Sequence, residues 1–298
     1  MNNVHKSVLL KETLDFLQVK RGKKYIDATL GGGGHTKAIL ELNGEVLGID
    51  VDQEALDLVR KSLEDSIKNS KLVLAKGNFR KIDEIARLNK FDKVSGIIFD
   101  LGLSSNQLEN PNRGFSFLKG GPLDMRMDED LEVKAQDLVN ILTKGELYEI
   151  FSKFGEEHRA RAISDSIVSA RRIAPIKTTG DLINVIQGAL GIKGELNDFT
   201  KANIAKRVFQ ALRIAVNDEL ESIREALPKA LELLEIKGRI VVISFHSLED
   251  RIIKQSFIDF EKRNMGKIIS KKPILASKEE TESNPRARSA KLRVFEKN

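Results

Sequence analysis

The chain has 298 residues, 50 basic and 44 acidic side chains, a formal net charge of +6 and no cysteine. That length can bury a full core and suffices for one large domain or two small ones, and the lack of cysteine excludes disulfides, zinc–thiolate centres and thiol catalysis. No window is apolar enough for a membrane span, and the opening MNNVHKSVLLKETLDFL carries charge throughout its apolar run, unlike a secretory signal or a transit peptide, so a soluble cytoplasmic protein is expected.

In chain order, Val8 to Leu10 with Leu14, Phe16 and Leu17 predict an amphipathic lead-in helix. The stretch from Lys24 to Asp52 then organises the rest. Tyr25 to Leu30 reads as a short buried strand. Gly31 to Gly34 cannot be strand or helix interior, and a helix starts at His35, with Ala38, Ile39 and Leu42 on one face and Asn43-Gly44 as its stop. Val46 to Ile49 is a second strand ending in Asp50 and Asp52. Strand, glycine turn, helix, strand and acid open a doubly wound nucleotide-binding sheet. Asp50 is placed to accept from ribose hydroxyls, and Asp52 to cap the next helix. The glycines do not follow G-x-G-x-x-G, which disfavours a phosphate and suits an adenosine ligand without one, such as S-adenosylmethionine (AdoMet).

Ala55 to Val59 predicts the second helix, Leu72 to Ala75 a third strand, and Gly77-Asn78-Phe79 a strand end whose ring either frames an adenine or joins the core. A helix over Ile82 to Leu88 leads to a fourth strand, Val94 to Phe99, ending in Asp100. In the usual strand order its end opens beside the glycine turn, so Asp100 faces that turn, with Gln107 close behind at the same mouth. The alternation then stops. Arg113 to Phe117 and Gly120 to Met127 are loop-like, and from Ala135 to about Leu212 every periodic stretch is helical, with Arg159, Arg161, Arg171, Arg172 and Arg207 available to phosphates. The expected organisation is a sheet domain over 1–110 and 215–298 with a helical insertion over 111–214.

A long helix from about Val216 to Glu235 is expected to precede a fifth strand, Arg239 to Phe245, which ends in His246, with Ser247 and Asp250 arranged as a near capping box. Ile268-Ile269 and Leu292 to Phe295 read as final strands, flanking a polar loop from Ser277 to Ser289 that holds Arg286 and Arg288. From Ile236 onward fifteen basic residues face eight acidic ones. This local excess suits a polyanion, nucleic acid first, although a solvated lysine-rich face would carry the same charge. The four histidines, His5, His35, His158 and His246, show no paired ligand spacing, so no metal site is expected.

The runs GGGGH (31–35), FDLGLSSNQL (99–108), RGFSF (113–117), GGPLDMRM (120–127), SFHSLEDR (244–251) and NPRARS (284–289) together resemble one family along nearly the whole chain. It is the bacterial 16S ribosomal RNA cytosine-N4 methyltransferase family, known as RsmH and earlier as MraW. The resemblance implies an α/β fold: a Rossmann-like AdoMet-dependent sheet with helices on both faces, interrupted by an all-helical, substrate-recognising insertion. It implies methylation of a cytosine N4 amine in the decoding region of 16S rRNA in the small ribosomal subunit. By motif position it carries over Gly33, Gly34, His35, Asp50, Phe79, Asp100 and Gln107 as AdoMet residues. Asp100, or a carbonyl of Leu101-Gly102, is the expected acceptor for the amine. Phe115, Phe117, His246, Arg286 and Arg288 are the RNA candidates. The alternatives are a same-fold methyltransferase acting on another RNA, a protein or a small molecule, a dinucleotide-dependent oxidoreductase, and a non-enzymatic RNA-binding module. A homodimer is compatible with the sequence but has no signal in it.

Overall fold

The computed structural model describes residues 7–118, 120–194 and 197–298; His5, one of the four histidines, lies outside them. The chain divides into two compact units, one running up to Ser104 and resuming over Leu220–Asn298, the other spanning Ser105–Glu219. In chain order the first unit begins with α1 (Leu10–Leu17), β1 (Lys24–Asp27), α2 (Gly34–Glu41), β2 (Glu45–Asp50), α3 (Gln53–Ser62) and α4 (Glu64–Lys68). It continues with β3 (Leu72–Lys76), α5 (Ile82–Leu88) and β4 (Val94–Asp100). The second unit holds α6 (Ser105–Glu109), α7 (Ala135–Ile141), α8 (Lys144–Lys153), α9 (Ala160–Ala170), α10 (Thr179–Ala189) and α11 (Asp198–Asn217). The first unit resumes with α12 (Glu219–Leu233), β5 (Leu234–Ser244), α13 (Ser247–Lys262), β6 (Gly266–Ile268), α14 (Lys278–Ser283) and β7 (Lys291–Lys297).

The strands form one sheet in the order β3-β2-β1-β4-β5-β7-β6. β1 to β5 pair in parallel, and β7 runs antiparallel between β5 and β6. Because strand side chains alternate between faces, the sheet builds two cores. Ile26, Leu47, Ile97, Ile240 and Phe295 point to one, which α5, α12 and α13 cover with Ile82, Leu227 and Phe257. Tyr25, Val46, Ile98, Val241 and Val294 point to the other, which Ile39 of α2, Val59 of α3 and Leu17 of α1 cover. A sheet wrapped on both faces requires apolar central runs in its strands, as Tyr25-Ile26, Val46–Ile49, Ile97–Phe99 and Ile240–Ile243 are. The order reverses between β1 and β4, so their carboxyl ends frame a crevice where such sheets take ligands.

Three local expectations are corrected. The helix expected from about Val216 to Glu235 is α12 (Glu219–Leu233), shorter at both ends, because Asp218 adopts a left-handed conformation (φ 48°) that ends α11, and Glu235 already lies in β5. The cap of α13 is His246 rather than Ser247: its ring accepts from the Glu249 N–H at 3.4 Å and Glu249 returns a bond to the His246 N–H, so the box partner is Glu249 and not Asp250. The polar loop from Ser277 to Ser289 is mostly helical, since Ser277 caps α14 through the Glu280 N–H and Asn284-Pro285 starts a 3-10 turn over Pro285–Ser289. No helix among the described residues is long and apolar enough to cross a membrane.

Candidate active site at the strand ends

The parallel strands β1, β2 and β4 each end in aspartate: Asp27, Asp50 and Asp100. The glycine turn closes over them. Gly31 and Gly33 both have positive φ (48° and 74°), a conformation that carries little penalty only without a Cβ. Gly33 sets the start of α2, and a Cβ there would lie 2.8 Å from a Val59 methyl, while one on Gly34 would occupy the place of the Ser7 hydroxyl. The turn is tied to the strands by its own amide: the Gly31 N–H donates to Asp50 Oδ2 at 2.7 Å, and the Asp52 N–H to Oδ1 at 2.9 Å. Asp52 itself caps α3 through the Glu54 N–H.

Asp27 is 1% exposed and accepts from Thr36 Oγ1 at 2.7 Å and, weakly, from the Thr29 N–H at 3.4 Å. Thr29 Oγ1 in turn accepts from the Asp100 N–H at 2.6 Å, joining the ends of β1 and β4. His35, buried at the start of α2, holds Nδ1 3.8 Å from Asp100 Oδ2. Two polar atoms here are sealed from solvent with no hydrogen-bond partner among the described residues, His35 Nε2 and Asp100 Oδ1. Burial pushes Asp100 up to about 6; His35 and Arg286 pull against it, Asp27 and Glu249 with it. Burial likewise takes Asp50 to about 6, opposed by its two amide donors. It raises Asp27 too, against the charge of His35 and the bonds from Thr36 and Thr29. Three carboxylates and a histidine thus share one low-dielectric corner, which favours a cationic ligand that also offers hydroxyls.

Sequence reasoning brought Gly33, Gly34, His35, Asp50 and Asp100 to this corner but missed Asp27, Thr29 and Thr36. The available signal was an acidic residue inside a strand read as buried, which must have a partner. Phe79 follows β3 in a 3-10 turn capped by Asn78, partly buried, its ring edge-on to Phe99 with centroids 5.7 Å apart. It is therefore seated on the core while part of its surface stays open.

At the end of β5, Glu249 is 1% exposed and its Oε2 accepts from the Phe245 and His246 N–H groups at 2.8 and 3.2 Å, with Oε1 3.1 Å from His246 Nε2. Arg286 donates to the Leu103 carbonyl, whereas Arg288 on the same 3-10 turn is exposed.

The other site candidates lie in the helical unit. Gln107 is buried in α6. Phe115 is buried at 6% exposure, and Phe117 is partly buried, edge-on to Phe209 at 5.8 Å. The surrounding loops are held from within: Arg113, 4% exposed, donates to the Arg126 and Met127 carbonyls, and Arg126 forms a forked pair with Asp124. Of the arginines expected to meet phosphates, Arg171 donates to the Val139 carbonyl and Arg207 to that of Glu156, while Arg159, Arg161 and Arg172 are exposed. Replacing Phe115 by alanine is expected to cost the helical unit about 3 kcal/mol or more in urea denaturation, as for other buried phenylalanines. Phe117→Leu should cost on the order of 1 kcal/mol, the worth of one aromatic contact.

The sequence matches the MraW methylase family over residues 2–298. It is 44% identical over 312 residues to the Halothermothrix orenii protein named Ribosomal RNA small subunit methyltransferase H, with 98% of each chain covered. A Clostridium botulinum protein of the same name is 43% identical over 311 residues, again covering 98% of both. Among solved structures, a Streptococcus mutans protein described as a methyltransferase and crystallised with SAH is similar with a TM-score of 0.47 and 15% identity, over 99% of this chain and 100% of that one.

Proposed function

The chain belongs to the MraW methylase family, and from that premise we propose that it methylates the N4 amine of a cytosine in the decoding region of 16S rRNA, using AdoMet, on the small ribosomal subunit. The observation that supports this reading most is the pair of sealed, partnerless atoms, His35 Nε2 and Asp100 Oδ1, beside a glycine turn at the switch point of the sheet. Buried polar atoms are normally satisfied, and two orphans in one crevice suit a polar ligand.

The residues fit AdoMet. Gly33 and Gly34 pack closely against Val59 and Ser7, which fixes the path of the turn at the crevice. Asp50, fixed by two amides, keeps lone pairs for ribose hydroxyls; Phe79 offers a ring beside it for adenine; Asp100 and His35 serve the amino-acid end. When bound, AdoMet supplies a methyl group activated by its sulfonium charge. The chain's own task is to position and to hold a proton. Asp100, ionised, accepts a hydrogen bond from the amine, localises its lone pair, and takes the proton released as the new N–C bond forms. We assign recognition of the RNA to the helical unit, with Arg159, Arg161 and Arg172 toward phosphates and the open edge of Phe117 toward a splayed base.

The test uses small subunits from cells lacking the modification. Incubated with this protein and methyl-labelled AdoMet, their RNA should yield labelled N4-methylcytidine on digestion and mass spectrometry. Label in no RNA, with AdoMet still bound, would remove the substrate and keep the cofactor.

A further inference from the structure

The turn that follows Asp100 is held from several sides. The Leu101 N–H donates to Ile243 of β5 at 3.0 Å, and the Gly102 N–H to the Asp100 carbonyl at 2.8 Å. The Phe245 ring lies against Gly102 so closely that a Cβ there would be 2.9 Å from the ring edge. The Leu103 carbonyl accepts from Arg286. Arg286 projects from a seated base: Ala287 and Ala290 are buried in the sheet's second core, and Asn284 accepts from the Arg286 N–H. A long cation from the far end of the chain, reaching a carbonyl three residues beyond Asp100, does what a surface phosphate ligand would not.

We propose that Arg286 is a positioning residue for methyl transfer, clamping the Asp100–Ser104 turn so that the amine acceptor is fixed in place. Its neighbour Arg288, exposed on the same turn, has no such role. The inference rests on the methyltransferase reading and changes the role of Arg286 from RNA contact to support of the reacting group. Its charge also bears on Asp100, which faces His35 from α2, Asp27 from β1 and Glu249 from α13 as well.

The full-length protein is tested as Arg286→Ala, Arg286→Gln, Arg286→Lys and Arg288→Ala. In amide hydrogen exchange, R286A should speed exchange at Leu101 and Gly102 about tenfold, the effect of a local opening made easier by one lost contact; R288A should leave it unchanged. Calorimetry with S-adenosylhomocysteine should give affinities within about threefold of wild type for R286A, because Gly33, Gly34 and Asp50 are untouched. In turnover on small subunits, kcat should fall on the order of 10- to 100-fold, as for a misplacement of about 1 Å, with little change in KM. The other variants extend the test. The amide of R286Q ends where the guanidinium Nε stands, short of the terminal nitrogen that meets Leu103, so R286Q should speed exchange as R286A does and move the acidic limb of the pH–rate profile upward; R286K keeps the charge and a donor of similar reach and should hold both exchange and limb in place. Unchanged exchange in R286A, or a raised KM with kcat intact and a shallower salt dependence, would overturn the assignment in favour of a phosphate contact. Should R286A fail to fold, R286Q and R286K decide the matter on the same readouts. The exchange and calorimetric arms need no RNA, so a wild type that leaves rRNA unlabelled defeats the substrate reading without touching this one.

Discussion

Asp100→Asn should bind S-adenosylhomocysteine on the order of 10-fold more weakly, because the carboxylate that serves the cofactor's amino-acid end becomes neutral. At saturating cofactor it should transfer methyl groups at least about 100-fold more slowly, the scale of losing a positioned general base. The exchange is nearly isosteric, so the Thr29 hydroxyl still receives the residue 100 N–H and the β1 and β4 ends stay joined. What disappears is an oxygen able to hold the amine's proton. For the wild type, burial keeps Asp100 protonated up to about 6, so kcat should climb as pH rises through that value and level off above it. D100N should lack that limb. Stability reports the same group from the other side. A folded pKa of about 6 against an ordinary 3.8 means the native state holds the proton more tightly than the unfolded chain, so the carboxylate's contribution to native stability falls as pH rises from about 4 through 6. D100N without ligand should therefore match wild type near pH 3.5 and exceed it at pH 7 by up to about 3 kcal/mol in denaturant titration, the free energy that separates proton binding at those two pKa values. A normal rate in D100N, with no change in its pH profile, would pass the acceptor role to the Leu101-Gly102 carbonyls.

Gly33→Val should lower both stability and cofactor binding, whereas Gly31→Ala should lower stability far less. Both positions have positive φ, which costs a side chain roughly 1–2 kcal/mol. They differ in space. A Cβ on Gly31 meets nothing nearer than 3.9 Å, but one on Gly33 meets Val59 at 2.8 Å, on the helix that packs behind the turn. Valine at 33 must therefore displace α3 or tilt the start of α2, and with it His35. The expected loss is about 3 kcal/mol or more in unfolding, with S-adenosylhomocysteine affinity down by on the order of 100-fold; overpacking adds to the strained backbone. Calorimetry checks it, and equal effects at the two positions would mean that backbone strain alone, not the contact with Val59, sets the geometry.

The sheet was readable because its strands are short apolar runs ending in Gly or Asp, and a strand buried on both faces leaves little else possible at Tyr25–Ile26, Leu47–Ile49 and Ile97–Phe99. The glycine turn with Asp50 was readable because only that local order of elements uses four glycines there. What escaped was set by contacts distant in sequence or by single side chains. Asp218 set the start of α12 later than expected, since a left-handed residue changes direction without changing composition. Ser277 and Asn284 turned a polar stretch helical through two caps, of which the Ser277–Glu280 spacing was the one visible sign. The partnership of Asp27 with Thr36, and that of Arg286 with Leu103 across 183 positions, is invisible to any local pattern. The basic C-terminal segment illustrates the limit: its charge suggested a polyanion, yet Arg239 and Lys267 answer Glu296, and Arg293 answers Asp250.

The pairing of β4 with β5 joins two strands between which the entire helical unit is threaded. During synthesis the helical unit, rich in contacts close along the chain, can condense as soon as it emerges, while β4 must wait with one edge open until β5 and then β7 arrive. The Leu9 N–H, bonded to the Glu280 carboxylate 271 positions away, waits longer still. Asp27 and Asp50 find their partners within the first part of the chain, whereas Asp100, which faces Glu249 and Arg286, acquires its final surroundings only once the last part is made. A half-made chain would present an open sheet edge and an unfinished crevice.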